Sequence, residues 1–346
     1  MILRALVALA LASVPIATGA GAAWWGWRAV HEPYRGWSGN EVTFEVETGS
    51  NATQVLAALA EAGIIGEAGL ARLYLLYVLE DTVLQAGEYR FAKPASTLQV
   101  LEVLTAGRVV THPVTVIEGL TLEETADTLS AAGFGDRDRL IGEMSDKARI
   151  ADLDPDAGNL EGYLFPDTYA FPKGATEADI VDAMVVNFRH KLALAQAAGE
   201  QAEVRSVRDL VTLASIVEKE ALLDAERPLI AGVYSHRLRR RIPLSADPTV
   251  IFAMKLLGTW SGNLRRPDLR MDHPYNTYVK GGLPPGPICS PGEASLLAAA
   301  APEHTTHLYF VSRNDGTNVF ADTLSEHNRN VNKWQKQYWA RKWRAK

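Results

Sequence analysis

The first thirty residues restrict this chain more than any other stretch. From Ala5 to Trp27 there is no charged residue, and the run is bounded by Arg4 and Arg28. As a helix it would reach about 35 Å at roughly 1.5 Å per residue, enough to cross the hydrocarbon core of a bilayer. Trp24, Trp25 and Trp27 gather at its C-terminal end, with Tyr34 and Trp37 soon after. Amphipathic rings of this kind favour a membrane–water interface. The run predicts an N-terminal transmembrane helix that fastens the rest of the chain to a membrane. A cleaved signal peptide is the competing reading, since Ala20-Gly21-Ala22 offers small residues for cleavage. The apolar run, however, exceeds the roughly 7–15 residues of a signal core. Orientation is weakly marked, because Arg4 lies on one side and Arg28 and Arg35 on the other.

The remainder of the 346 residues has the composition of a folded body: 47% hydrophobic and 22% charged, which excludes a disordered chain. A net charge of −6 argues against a general nucleic-acid binder, which needs a basic surface for phosphate. Cys289 is the only cysteine, so neither an intramolecular disulfide nor a thiolate zinc cluster is available. A body outside the membrane would be held together by core burial, and the chain is long enough for that.

Periodicity gives an α+β fold. Val42-Thr-Phe44-Glu-Val46 alternates as a half-buried strand, and Gly49 breaks it. Val55, Leu56, Leu59 and Ala60 form a helical stripe that ends near Gly63, and Leu70 to Leu79 reads as a second helix. Gly87-Glu-Tyr89-Arg-Phe91 reads as a strand, and Leu98 to Leu104 as a helix stopped by Gly107. The opening pattern recurs 70 residues on: Val46, Gly49, Leu59 and Gly63 match Val116, Gly119, Leu129 and Gly133. Two copies do not make a solenoid. The recurrence reads either as a common βα packing unit or as a small glycan-binding module. Helices dominate from Ala178 to Arg241, and Asn314-Asp315-Gly316-Thr317 between apolar runs signals a hairpin.

The segment richest in chemistry runs from Ser206 to Ala221. Ser206 and Asp209 resemble a capping pair, and Leu210, Leu213, Ala214, Ile216, Val217 and Ala221 share one face of the wheel. Glu220 falls roughly 40° from the centre of that face and Glu218 roughly 120° away, on the polar side. A carboxyl held against apolar groups loses hydration, its pKa rises, and it can serve as a general acid near neutral pH. The bland alternative is a helix-edge Glu220 that pairs with an arginine such as Arg227. Downstream come Ser245-Ala-Asp247-Pro-Thr249, Tyr275-Asn276-Thr277-Tyr278, and the stiff, donor-poor Gly282-Leu-Pro-Pro-Gly-Pro-Ile288. Amides, hydroxyls and ring faces suit a sugar chain, though a compact proline-rich connector would look similar.

Taken in order, Leu213-Ala-Ser-Ile-Val-Glu-Lys-Glu220, Ala246-Asp-Pro-Thr-Val250, Tyr275-Asn-Thr-Tyr278 and Gly282-Leu-Pro-Pro-Gly286 resemble the endolytic murein transglycosylases, the YceG-like family. Gly87 to Phe91, Gly162-Tyr-Leu-Phe-Pro-Asp167, Leu308-Tyr-Phe-Val311 and His327-Asn328 extend the resemblance over nearly all of the chain after the apolar run. The resemblance implies three parts: an inner-membrane anchor with its juxtamembrane segment (1–37), a LysM-like α+β subdomain (38–112), and a larger mixed α+β catalytic domain outside the membrane (113–346). It implies lytic cleavage between N-acetylmuramic acid and N-acetylglucosamine that leaves 1,6-anhydro ends. Glu220 maps onto the catalytic glutamate, with Glu218 the minority choice.

Asp247, Thr249, Tyr275, Asn276, Thr277, Tyr278 and Glu218 are expected to bind substrate. Hydrolases flank the bond with two carboxylates. A lytic enzyme needs only one, because the substrate supplies the nucleophile. No cofactor or metal is implied. The expected partners are peptidoglycan strands, the membrane and penicillin-binding synthases, with no nucleic acid. The rival readings are a non-catalytic wall-binding scaffold and a muramidase that uses water. His304-Thr-Thr-His307 lacks the glutamate and third ligand of a zinc site. Arg237-Leu-Arg-Arg-Arg241 reads as a solvated helix end whose cations suit the dipole.

Overall fold

The structure, a computed structural model, describes residues 21, 24–77, 82–199 and 206–344. The expected membrane helix falls almost wholly outside them. Among the described residues no helix is long and apolar enough to cross a membrane. Residues 24–31, at the end of the apolar run, are helical, and Trp24, Trp25 and Trp27 are more than half exposed there.

The described chain forms two compact units, Met1–Pro113 with Ala170–Gly174, and Val114–Tyr169 with Ala175–Lys346. In the first, β1 (Val42–Val46) pairs antiparallel with β2 (Gly87–Phe91), Phe44 opposite Tyr89. Between them lie α1 (Ala52–Glu61) and α2 (Ala68–Tyr77), and α3 (Thr97–Thr105) follows. Leu56, Leu59, Ile64, Ile65, Leu101 and Leu104 bury their side chains in one core, together with Tyr89. The Tyr89 hydroxyl donates to the carbonyl of Gln85 at 2.8 Å, which satisfies its one polar atom.

The recurrence seen in sequence is a recurrence of backbone. Asn51 caps α1 in a capping box with Gln54, and Thr121 caps α4 (Leu122–Ala131) in one with Glu124. Gly49 and Gly119 both have positive φ (86° and 78°) ahead of these caps, and Gly63 and Gly133 (71° and 85°) end both helices. At Gly63 a Cβ would also meet the Gly36 carbonyl carbon at 2.6 Å, so the position needs glycine twice over.

The second unit is mainly helical. After α4 come α5 (Arg137–Met144), α6 (Glu177–Ala198), α7 (Val207–Glu220), α8 (Arg227–Arg239), α9 (Asp247–Leu256) and α10 (Glu293–Ala300). β3 (Thr111–Thr115) and β4 (Thr168–Pro172), the two strands along which the chain passes from one unit to the other, form a two-stranded sheet. β5 (Tyr309–Ser312) and β6 (Asn318–Ala321) form the hairpin expected from Asp315-Gly316, closed by Arg313 N–H to the Thr317 carbonyl at 2.8 Å. Two helices follow, α11 (Leu324–Val331) and α12 (Tyr338–Arg344).

Helix α7 sits at the centre, packed by α8, α9 and α10. Ser206 caps it as expected, accepting from Asp209 N–H. The one-sided wheel is corrected here: every residue from Leu210 to Val217 is buried, Thr212 and Ser215 included. Small and hydroxyl side chains on the nominal polar side let α10 approach, and Ser215 Oγ donates back to the Thr212 carbonyl at 2.8 Å.

Candidate active site

Glu220 is the last residue of α7. The chain leaves the helix at Ala221 (φ −88°, ψ 122°), and Leu222 and Leu223 project into solvent beyond it. The Tyr234 hydroxyl, from the buried face of α8, donates to Glu220 Oε1 at 3.0 Å. Burial pushes the Glu220 carboxyl up to about 7; the negative charge of Asp247 adds to this, and the Tyr234 hydrogen bond and the Arg237 charge oppose it. The C-terminal end of a helix disfavours a carboxylate as well. Glu220 nevertheless keeps partial exposure, so protein surrounds its carboxyl without sealing it from a substrate.

Asp247 opens α9, with Pro248 in the first turn, and is exposed. Its Oδ1 accepts from the Tyr278 hydroxyl at 2.7 Å. Tyr234 and Tyr278 are both pushed up, chiefly by burial, and each also feels the Glu220 charge. They therefore stay protonated and act as donors. Arg237 completes the group. Its Nε donates to the Leu308 carbonyl at 2.6 Å, its Nη1 to the Leu244 carbonyl at 2.6 Å, and its guanidinium lies 5.0 Å from the Tyr309 ring centroid. Tyr309 stacks on His327 at 5.2 Å, and burial with the Arg237 charge holds His327 below its ordinary pKa. The reading of the arginine run as solvent-facing is thus corrected at its first member: Arg237 ties α8 to the hairpin, while Arg240 and Arg241 are exposed.

The other expected residues divide. Thr249, Asn276 and Thr277 are fully or almost fully buried. Thr277 Oγ1 accepts from Ala246 N–H at 3.0 Å and lies 2.9 Å from Thr249 Oγ1. Asn276 Nδ2 donates to the carbonyls of Met271 (2.7 Å) and Leu269 (3.2 Å), and its Oδ1 accepts from Tyr278 N–H at 3.0 Å. These three hold the loop that presents Tyr278 and the turn that presents Asp247. Tyr275 lies elsewhere, packed on Phe252 at 4.9 Å between ring centroids.

Glu218 is set apart from Glu220 by its partners. Its Oε1 pairs with Arg227 Nη1 at 3.1 Å, both side chains 7% exposed, and its Oε2 accepts Gly292 N–H at 3.0 Å. The arginine considered for Glu220 therefore belongs to Glu218, and the polar side expected for Glu218 is interior. Sequence reasoning missed Tyr234 and Arg237. Tyr234 stands 14 residues from Glu220 on another helix, and nothing local distinguishes it from the other tyrosines.

The sequence matches the model of the YceG-like family over residues 44–333, a span that contains all of the ordered motifs. The chain belongs to the YceG-like family. An endolytic murein transglycosylase of Bacillus subtilis (strain 168) is 32% identical over 323 residues, 89% of this chain and 88% of that protein. One from Streptococcus pneumoniae (strain ATCC BAA-255 / R6) is 30% identical over 320 residues, 84% of this chain but 58% of that longer protein. A solved YceG-like structure from Listeria monocytogenes is 31% identical with a TM-score of 0.56, over 84% of this chain and 99% of that one. In this YceG-like chain, residues from α7, α8, α9 and the 275–278 loop meet around one carboxyl whose proton is held near neutral pH.

Proposed function

We propose that this protein is an endolytic lytic transglycosylase of peptidoglycan, with Glu220 as both general acid and general base. The observation that carries the reading is the Glu220 carboxyl, pushed up to about 7 and hydrogen-bonded by Tyr234. Near neutral pH such a group exists in both forms, as a single acid/base catalyst requires. The protonated acid gives its proton to the glycosidic oxygen between N-acetylmuramic acid and N-acetylglucosamine. Positive charge develops on the muramic sugar as that bond breaks. The carboxylate left behind takes the proton of the same sugar's O6 hydroxyl, whose oxygen bonds to C1 and closes a 1,6-anhydro ring. No water is consumed, and Glu220 ends as it began.

Asp247 raises the affinity of Glu220 for its proton, and Tyr278 fixes the Asp247 carboxylate. Residues 113–346 are the catalytic domain in this reading and 38–112 a LysM-like wall-binding subdomain. The apolar run within 1–37 anchors both to the cytoplasmic membrane on its outer side, where nascent strands and penicillin-binding synthases are found.

The test is mass spectrometry of peptidoglycan incubated with the full chain in detergent and with Glu220→Gln. Internal fragments with anhydro ends are expected, and the variant should lose about 10²- to 10⁴-fold in rate, the usual contribution of a positioned acid/base. Reducing ends in place of anhydro ends would make the enzyme a hydrolase, and an active variant would remove Glu220 from the chemistry.

A further inference from the structure

The second unit holds a cavity of about 780 Å³ that the reading above leaves unused. Its walls come from the start of α4, the 156–161 loop, the start of α7, the end of α9, Trp260, Tyr275 and the proline loop at 285–287. It is not the Glu220 cluster. Arg208 on its wall and Glu220 stand 12 residues apart on α7, and Lys255 and Asp247 stand 8 apart on α9. At roughly 1.5 Å per residue these intervals are about 18 Å and about 12 Å, the length of a few sugar rings.

The lining has a definite chemistry. Its two cations are already neutralised by carboxylates: Arg208 with Asp154 at 2.6 Å and Lys255 with Glu124 at 2.6 Å. Glu123, Asp127 and Asp156 add further carboxylates to the wall, so an anion is disfavoured there, and a neutral polar ligand needs to displace neither pair. Trp260 and Tyr275 are partly exposed rings on the wall. Glu161 is the remaining buried acid. Its carboxyl accepts only Leu122 N–H, at 3.0 and 3.2 Å, and burial pushes it up to about 8. At neutral pH it therefore carries a proton, and the cavity holds a donor as well as acceptors. Ring faces beside neutral donors and acceptors match the two kinds of surface on a pyranose.

We propose that this cavity is a distal subsite for a neutral N-acetylhexosamine unit of the glycan, with Trp260 and Tyr275 as ring platforms and Glu161 as a hydrogen-bond donor. The proposal rests on the reading of Glu220 as the cleaving residue. A strand that fills both places runs on for several sugars past the bond being cut. Bonds near one end of a strand lack that length, so the cavity would disfavour cleavage close to that end.

Binding and cleavage test it separately. Peptide-free glycan strands are titrated into the full-length Glu220→Gln protein, alone and with Trp260→Ala, Trp260→Phe or Glu161→Leu added. Trp260→Ala and Glu161→Leu should each weaken binding about tenfold, roughly one logarithmic step in affinity. Trp260→Phe, which keeps an aromatic face, should bind almost as before. Thermal melts check that each variant is folded. Unchanged affinity in both of the first two variants overturns the subsite. With Glu220 intact, Trp260→Ala should raise KM for long strands by a similar factor and leave kcat within about twofold; a fall in kcat alone overturns it too. Weakened binding by Trp260→Ala in a protein that cuts no glycan would support the subsite and sink the lytic reading.

Discussion

Glu220 is held between opposing influences, and each has a removable source. Tyr234 donates to it and favours the charged form; the Asp247 charge favours the protonated form. If the protonated acid is the working species, activity falls as pH rises through about 7. Tyr234→Phe should move that alkaline limb to higher pH, and Asp247→Asn should move it lower, each by about half to one unit. The pH profile of kcat/KM checks both signs, and shifts in the same direction would show that these residues do not tune Glu220. At this scale the sequence told much. Two glutamates two residues apart differ by about 200° around a helix, so the wheel could separate them. It could not show that Arg227 reaches Glu218, because that contact comes from another helix.

At the scale of elements, the Glu218–Arg227 pair is the join between α7, α8 and the start of α10. Arg227 also donates to Asp224 at 2.8 Å and to Ser295 at 2.6 Å, so it closes the buried end of three helices. Removing one partner of a buried pair leaves the other charge without compensation. Arg227→Ala should cost about 3–5 kcal/mol of stability, read from urea unfolding of the full chain. A cost near that of a surface pair, under about 1 kcal/mol, would show that the site is not closed. The capping boxes at Asn51 and Thr121 are local, yet only the Ser206–Asp209 pair was read from the sequence. Thr121→Ala should cost about 1 kcal/mol in the same experiment. The paired glycines were legible, since a positive φ selects glycine whatever surrounds it. The all-round burial of α7 was not, because hydroxyl residues that face a neighbouring helix look in sequence like residues that face water.

For the molecule as a whole, two acids bury carboxyls that prefer to be neutral, Glu161 at about 8 and Glu220 at about 7. In the unfolded chain a glutamate titrates near about 4.3. The folded state therefore binds these protons more tightly. That contribution to stability is complete below the unfolded value and is lost as pH rises through about 7 and about 8. Between pH 5 and pH 9 the Tm should fall, and the double variant Glu161→Gln, Glu220→Gln should flatten the fall by about 5 °C or more. A double variant with the wild-type slope would mean that neither acid is neutral in the folded protein.

What the sequence determined by itself is whatever depends on near neighbours in the chain: the strands from alternation, the start of α7 from its capping pair, the turns from glycine, and the place of Glu220 on α7. The ordered motifs added the family, because they fall in one sequence across the matched span. Only the tertiary structure decided which groups act on those residues. Tyr234, Arg237 and Arg227 are ordinary helical side chains until α8 packs against α7. Thr249, Asn276 and Thr277 suit sugars by type, yet they spend their hydrogen bonds on the backbone that presents Asp247 and Tyr278. The physical reason is one of range. Propensity and capping act over a few residues, whereas desolvation and hydrogen-bond partnership are set by whatever packing brings within about 4 Å.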